Sequence, residues 1–124
     1  MTSYHHSIDG QSSALPVGKV VCVGRNYAEH AKELNNPIPT EPVLFIKPST
    51  ALVGLGATIS IPQRFGACHF ETEMAILIGD RLQQCDALQA EAAVVGVGVA
   101  LDLTLRDLQT VSYTHLTLPT NREV

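Results

Sequence analysis

The stretch HFETEMAILIG, residues 69–79, decides how this part of the chain folds and raises the question of its function. Met74 to Ile78 is an apolar run of the kind found in β-strands that enter a core. The run is preceded by Glu71 and Glu73, and residues two apart on a strand point to the same side. Two like charges about 5 Å apart repel by about 3 kcal/mol at an effective dielectric constant near 20. The pair must therefore face water, keep one member protonated, or hold a cation.

Outward from this stretch, β-branched and apolar runs predict further strands. They are expected at KVVCVG (19–24), at VLFIK (43–47), which we expect to be buried, and at VVGVGVALDLTL (94–105). ALVGLGATISIP (51–62) is expected to form two short strands around a glycine turn. In the last strand, Gly96 and Gly98 are expected to mark a bulge or a close-packing site.

Helices are predicted to be few and short. NYAEHAKELNN (26–36) is expected to form a helix that stops at its asparagines and Pro37, and DALQAEAA (86–93) a helix or a loop. Because strands dominate, the predicted class is a β-rich α+β fold.

A third carboxylate, Asp102, follows the apolar run VVGVGVAL. Three acidic oxygen donors suit a hard divalent cation such as Mg²⁺ or Mn²⁺. Two alternatives stay open from the pattern alone. Glu71 and Glu73 are solvated strand-edge residues with an unrelated aspartate, or His69, which shares their face, completes a His/Glu site for a transition metal. The last alternative lacks a second nearby histidine.

The predicted helix carries a second candidate group. His30 and Glu33 are three residues apart and so share one helical face. A carboxylate on one imidazole nitrogen raises the basicity of the other nitrogen, which can then take a proton from water. The alternative is an ordinary surface pair. The helix is short enough to be weak alone, so we expect it to order when a ligand arrives.

Composition excludes several partners. The 124 residues carry a net charge of −4 and only 5% aromatic residues, which argues against nucleic acid and against an anionic membrane surface. Three cysteines without C-x-x-C spacing predict reduced thiols and a cytoplasmic protein. The polar N-terminus shows no signal peptide, and the apolar run 92–101 is too short to span a bilayer.

Four segments occur in an order that resembles one known family: KVVCVGRNYAEHAKEL, EPVLFIKPSTALVG, HFETEMAILIG and ALDLTLRDLQ. Together they resemble the fumarylacetoacetate hydrolase family, in particular its small single-domain acylpyruvate hydrolases and oxaloacetate decarboxylases. The resemblance implies that Glu71, Glu73 and Asp102 bind Mg²⁺ or Mn²⁺. It also implies that His30 and Glu33 activate water, on a helix that orders over the substrate.

The same resemblance implies a substrate site and a fold. Arg106 and Gln109 match positions near the keto-acid end of the substrate, and Arg25 matches a lid or carboxylate contact. The family fold is a mixed β-sandwich roll, and the full-length protein is expected to be a homodimer.

The implied reaction is cleavage of a C–C bond in a small β-dicarbonyl acid, an acylpyruvate that yields pyruvate and a carboxylic acid. A divalent cation polarises the keto group and stabilises the enolate that forms. Oxaloacetate decarboxylation and 2-hydroxymuconate-type isomerisation or hydration are alternatives on the same centre. From another class, the chain is a non-catalytic fragment or homologue with cation affinity only.

Three regions are predicted along the chain. Residues 1–16 are an N-terminal extension, 17–109 are the N-terminal half of the catalytic domain, and 110–124 (TVSYTHLTLPTNREV) are a foreign tail that originates from a sequence artefact. The resemblance implies a domain about twice this long, with a catalytic lysine and a T-G-T-P loop further on. We therefore expect the parent protein to be an enzyme and this truncated chain to be inactive and poorly folded.

Overall fold

The chain divides into two compact units, Met1–Gly54 and Leu55–Val124. The structure is a computed structural model that describes residues 4–24, 26 and 40–115. In these residues six strands form three two-stranded sheets, all antiparallel. Apart from Asn26, the predicted helix at 26–36 lies outside the described residues. The β-rich character predicted from the sequence is confirmed.

The first unit opens with a tight hairpin that the sequence analysis did not predict. Strands β1 (Ser7–Ile8) and β2 (Gln11–Ser12) pair across Asp9 and Gly10. Both turn residues have positive φ, 52° and 78°, as a type I′ turn requires. The Asp-Gly dipeptide is a strong signal for such a turn, and it lies inside the segment 1–16 that was predicted to be an extension.

The first unit also contains the sheet of β3 (Val20–Gly24) and β4 (Val43–Lys47), followed by a 3₁₀ turn at Ser49–Ala51. Both strands lie where the sequence predicts them. The prediction that β4 is buried is wrong, because Leu44 and Ile46 are 60% and 61% exposed. The physical reason is that this sheet has two strands among the described residues, and two strands alone cannot bury the side chains on their faces.

The segment 51–62 forms no strand, so the prediction of two short strands there is wrong. Its alternating apolar residues Val53, Ile59 and Ile61 are 43% to 53% exposed. A strand needs a partner for its backbone hydrogen bonds. The described part of the chain offers no partner here, and Gly54 and Gly56 add backbone freedom.

The second unit contains a 3₁₀ turn (Gln63–Phe65), two long strands and two helices. Strand β5 (Cys68–Ile78) pairs with β6 (Val94–Leu105), while helix α1 (Ala87–Ala92) precedes β6 and helix α2 (Arg106–His115) follows it. Helix α1 begins with a capping box, in which the Asp86 carboxylate accepts from the Gln89 backbone N–H at 2.8 Å and Gln89 Oε1 accepts from the Asp86 N–H at 3.0 Å. The segment predicted as helix or loop is therefore a capped helix.

The paired strands β5 and β6 carry a bulge near the predicted glycines. Leu77 pairs with Gly96 and Ile78 with Val94, so Val95 is the extra residue. Gly98 has open space where a Cβ would lie, so close packing does not explain that glycine. Ala93, just before β6, is the single buried apolar residue among those described.

The β5–β6 pair has two chemically different faces. The first, called the carboxylate face, carries alternate residues of the two strands: His69, Glu71, Glu73, Ala75 and Leu77 with Thr104, Asp102, Ala100, Gly98 and Gly96. The second, called the apolar face, carries the others: Cys68, Phe70, Thr72, Met74 and Ile76 with Leu105, Leu103, Leu101, Val99 and Val97. A sheet with one apolar face needs something to cover that face.

Candidate metal centre

The strand register places the three predicted metal ligands on one face. Glu71 lies directly opposite Asp102, and Glu73 lies two residues further along β5, opposite Ala100. Directly opposed residues of an antiparallel pair point to the same side, with Cα atoms about 4.5–5.5 Å apart. The strand pairing thus brings together two residues that are separated by 30 others in the sequence. Sequence periodicity alone relates only Glu71 to Glu73.

The surroundings of the three carboxylates differ. Glu71 is exposed, whereas Glu73 and Asp102 are half-buried. As the side chains are placed, no three His, Cys, Asp or Glu groups within the described residues lie close enough together to hold an ion. The fit to a cation therefore rests on the backbone register and on the donor set. Three carboxylates on one strand face suit a hard divalent ion, and long glutamate side chains have the rotamer freedom to adjust.

His69 also lies on the carboxylate face. The residue opposite it is Thr104. The register therefore brings no second imidazole to His69 on the neighbouring strand, which disfavours the alternative of a His/Glu transition-metal site.

Two predicted substrate residues lie together immediately after β6. Arg106 begins helix α2, and its Nη1 donates a hydrogen bond to Gln109 Oε1 at 3.1 Å. Asp102 lies four residues earlier on β6. The guanidinium and the amide are thus held next to each other at the end of the strand that carries a predicted metal ligand.

Helix α2 was not predicted, and it continues to His115 across the predicted boundary between residues 109 and 110. Thr110 Oγ1 donates to the Arg106 carbonyl at 3.1 Å, which is a bond within the first helical turns. The backbone continues as one helix past residue 109, so the structure shows no boundary there. The foreign origin of residues 110–124 stays a prediction.

A contact between the start of β5 and α2 was also missed. Gly66, two residues before β5, has φ of 82°, and a Cβ at that position would overlap the Asp107 carboxylate. Asp107 belongs to the first turn of α2, next to Arg106. This close approach ties the beginning of β5 to the helix that presents Arg106. A lone Gly in a sequence gives no signal for the partner that approaches it.

The remaining predicted site residues, Arg25, His30 and Glu33, lie outside the described residues. Their roles in water activation and substrate contact stay predictions.

A model of the family described as fumarylacetoacetate (FAA) hydrolase C-terminal matches residues 19–122. The chain belongs to the fumarylacetoacetate hydrolase family, as its motifs predict. The match extends past residue 109, so the foreign origin of the tail stays a prediction.

Curated relatives are longer than this chain. "Oxaloacetate tautomerase YcgM" of Escherichia coli is 53% identical over 105 residues, which are 85% of this chain and 48% of the relative. "Oxaloacetate tautomerase FAHD1, mitochondrial" of Arabidopsis thaliana is 47% identical over 73% of this chain and 41% of the relative. The chain spans about half the length of the curated relatives it matches.

Solved structures confirm the fold. A fumarylacetoacetate hydrolase family protein from Yersinia pestis matches with a TM-score of 0.82 and 50% identity, over 90% of this chain and 52% of that one. Fumarylpyruvate hydrolase from Pseudomonas aeruginosa, solved with Mn²⁺ and pyruvate, matches with a TM-score of 0.76 and 38% identity, over 90% and 50%. These neighbours establish the β-rich fold of the fumarylacetoacetate hydrolase type.

Among the described helices, none combines the length and the apolar character needed to cross a membrane.

Proposed function

We propose that the domain to which this chain belongs holds Mg²⁺ or Mn²⁺ through Glu71, Glu73 and Asp102 and acts on a small keto acid. The observation that carries this proposal is the register, which sets Glu71 opposite Asp102 with Glu73 on the same face. The Mn²⁺ and pyruvate in the Pseudomonas aeruginosa relative support both the class of cation and the class of substrate. A cation bound here would polarise a keto group and stabilise an enolate.

Residues beside the carboxylates are proposed to orient the substrate. Arg106 and Gln109 present a guanidinium and an amide from one helical turn, held by their own hydrogen bond. A guanidinium binds a carboxylate through two parallel hydrogen bonds, which fixes the orientation of a keto acid as well as its affinity. Arg25 is proposed as a further contact to the substrate carboxylate or as part of a lid.

His30 and Glu33 are proposed to supply the base. Glu33 would hold one imidazole nitrogen, so that the other accepts a proton from water. In acylpyruvate hydrolysis, the activated water attacks the distal carbonyl, the C–C bond breaks, and pyruvate leaves as its enolate. The product pair is pyruvate and a carboxylic acid. The name of the Pseudomonas aeruginosa relative, a fumarylpyruvate hydrolase, supports this reaction.

Oxaloacetate tautomerisation is a second candidate, favoured by the name of the Escherichia coli relative at 53% identity. It needs the same carboxylates and a base, but no attack by water. A proton leaves carbon C3 and another is taken up by the keto oxygen, with no C–C bond broken. Oxaloacetate decarboxylation, isomerisation or hydration of a 2-hydroxymuconate-type acid, and cation binding without catalysis remain the further alternatives.

Location and assembly belong to the same proposal. The three cysteines, at positions 22, 68 and 85, are thiols that form no disulfide, which is consistent with the proposed cytoplasmic location. The full-length protein is proposed to be a homodimer.

A chimera tests whether the residues of this chain perform the chemistry. In it, residues 1–109 replace the corresponding half of the Escherichia coli relative. We expect turnover that depends on Mg²⁺ or Mn²⁺ and that falls at least about a hundredfold in Glu73→Gln, because a ligand charge is lost. Glu91→Gln, an exposed glutamate on α1, is the matched control. Equal turnover in the two variants, or turnover in the presence of a chelator, would refute the proposal.

The same chimera separates the candidate reactions. Acetylpyruvate hydrolysis releases pyruvate and acetate, whereas oxaloacetate tautomerisation changes the ultraviolet absorbance of the enol without release of CO₂. His30→Gln should abolish the hydrolysis, because that reaction requires activated water. Release of CO₂ from oxaloacetate would instead assign decarboxylation.

A further inference from the structure

The apolar face of β5 and β6 is large and free of charge. None of its ten positions carries an ionisable carboxylate, ammonium, guanidinium or imidazole group. Four of its side chains are about two-thirds exposed: Phe70 at 68%, Met74 at 69%, Val97 at 66% and Val99 at 64%. From Cys68 to Ile76 the face runs for about 27 Å at the usual rise of a strand. A continuous apolar surface of this length marks an interaction site.

The two faces of this strand pair show which side needs a partner. The carboxylate face carries Glu71, Asp102 and small residues such as Gly98, so this face can remain exposed to solvent. The apolar face presents Met74 directly opposite Val99, and Thr72 carries the only hydroxyl among its ten positions. In the described part of the chain, no third strand is paired with these two strands. The outer edges of β5 and β6 also present backbone groups that can take further strands.

The length of the matched relatives indicates what covers this face. This chain matches 48% of the Escherichia coli relative and 52% of the Yersinia pestis structure. Each therefore carries about as many residues again outside the match. The Yersinia pestis protein superposes on this chain with a TM-score of 0.82, so it keeps this strand pair in a folded domain. A folded domain buries such a face. The residues of the relatives that lie outside the match are numerous enough to cover it.

We infer that the apolar face binds the complementary half of a fumarylacetoacetate hydrolase domain, even when that half is supplied as a separate polypeptide. The partner is β-rich, presents an apolar sheet face of its own, and packs on the centre of the face at Met74 and Val99. A second copy of this chain is the competing occupant, because two identical apolar faces can pack through a two-fold axis.

The test uses the full 124-residue chain, tagged and co-expressed with the untagged half of the Escherichia coli relative that lies outside the match. We expect recovery of a 1:1 complex, measured by native mass spectrometry, with one cooperative thermal transition. Met74→Asp and Val99→Asp should each weaken binding at least about tenfold, because each places a charge inside an apolar interface. The readout needs neither metal nor substrate, so it is separate from the proposed function.

Two controls make the result specific. Leu88→Asp changes an apolar residue that is more exposed than Met74 and Val99, at 77%, and that lies on α1 and off the face, so this variant should bind like the wild type. Val99→Ile keeps the apolar surface and should also bind. Because Met74 and Val99 are mostly exposed, their substitution removes little internal packing, and circular dichroism checks that the strands persist.

Three results would overturn the inference. The first is failure of the wild-type chain to retain the complementary half. The second is retention by Val99→Asp and Met74→Asp at the wild-type level. The third is a homodimer that persists with the complementary half in excess and that Val99→Asp converts to a monomer, which would assign the face to a second copy.

Discussion

The pairing of Glu71 with Asp102 is the main structural support for a metal site. They are opposed in the β5–β6 register, and Glu73 lies on the same face two residues away. Like charges directly opposite each other destabilise a strand pair. A divalent cation between them would reverse that effect, which is why three carboxylates on one face fit a metal centre better than a plain strand edge.

Gly66 offers a prediction at the same scale. Its φ of 82° favours glycine, and a Cβ would overlap Asp107. Gly66→Ala should destabilise the chimera by about 1–2 kcal/mol, a fall in Tm of several degrees. Differential scanning calorimetry measures it. Gly18→Ala, which has open space and no positive φ, is the control and should change Tm little.

A double variant separates the two causes of this loss. Asp107→Ala in the Gly66→Ala background removes the overlap but leaves the cost of the backbone conformation. We therefore expect partial recovery of Tm. Identical Tm values for Gly66→Ala and Gly18→Ala would show that the contact does not stabilise the fold.

Helix α1 has six residues, so its stability depends on its cap. Asp86→Ala removes the side-chain acceptor for the Gln89 N–H and should cost about 1 kcal/mol. Asp86→Ser keeps an acceptor and should retain most of that stability. Thermal unfolding of the chimera compares the two, and equal loss in both variants would contradict a role for the cap.

The long strands were predictable because their signals are local. Alternation and β-branched runs gave β3, β4, β5 and β6 nearly to the residue. The pairing partner was not predictable, since it is set by contacts distant in sequence. For this reason the prediction of strands within 51–62 is wrong. The segment has the apolar pattern of a strand, but the described part of the chain contains no strand that pairs with it.

The candidate site was predictable to a similar extent. Glu71 and Glu73 follow from a period of two, whereas Asp102 joins them only through the register. Arg106 and Gln109 are predicted from the family resemblance alone, and the structure adds the hydrogen bond between them. The contact of Asp107 with Gly66 had no local signal. The Asp9-Gly10 turn did have one, because an Asp-Gly dipeptide favours the positive φ angles of a type I′ turn.

At the scale of the whole molecule, exposure predicts how this chain behaves alone. Ala93 is the single buried apolar residue among those described, while many large apolar residues are exposed. A cooperative fold requires much more burial. The isolated chain should bind a hydrophobic dye strongly and unfold without a sharp heat-absorption peak. A sharp peak near the usual enthalpy of about 0.7 kcal/mol per residue would contradict this prediction.

The most direct measurement is a calorimetric titration of the chimera with Mn²⁺, without substrate. If Glu71, Glu73 and Asp102 hold the cation, the wild type should bind one Mn²⁺ per domain, and Glu73→Gln should bind it at least about tenfold more weakly. Glu91→Gln should match the wild type. Mn²⁺ binding that is unchanged in Glu73→Gln, or absent from the wild type, would contradict the account.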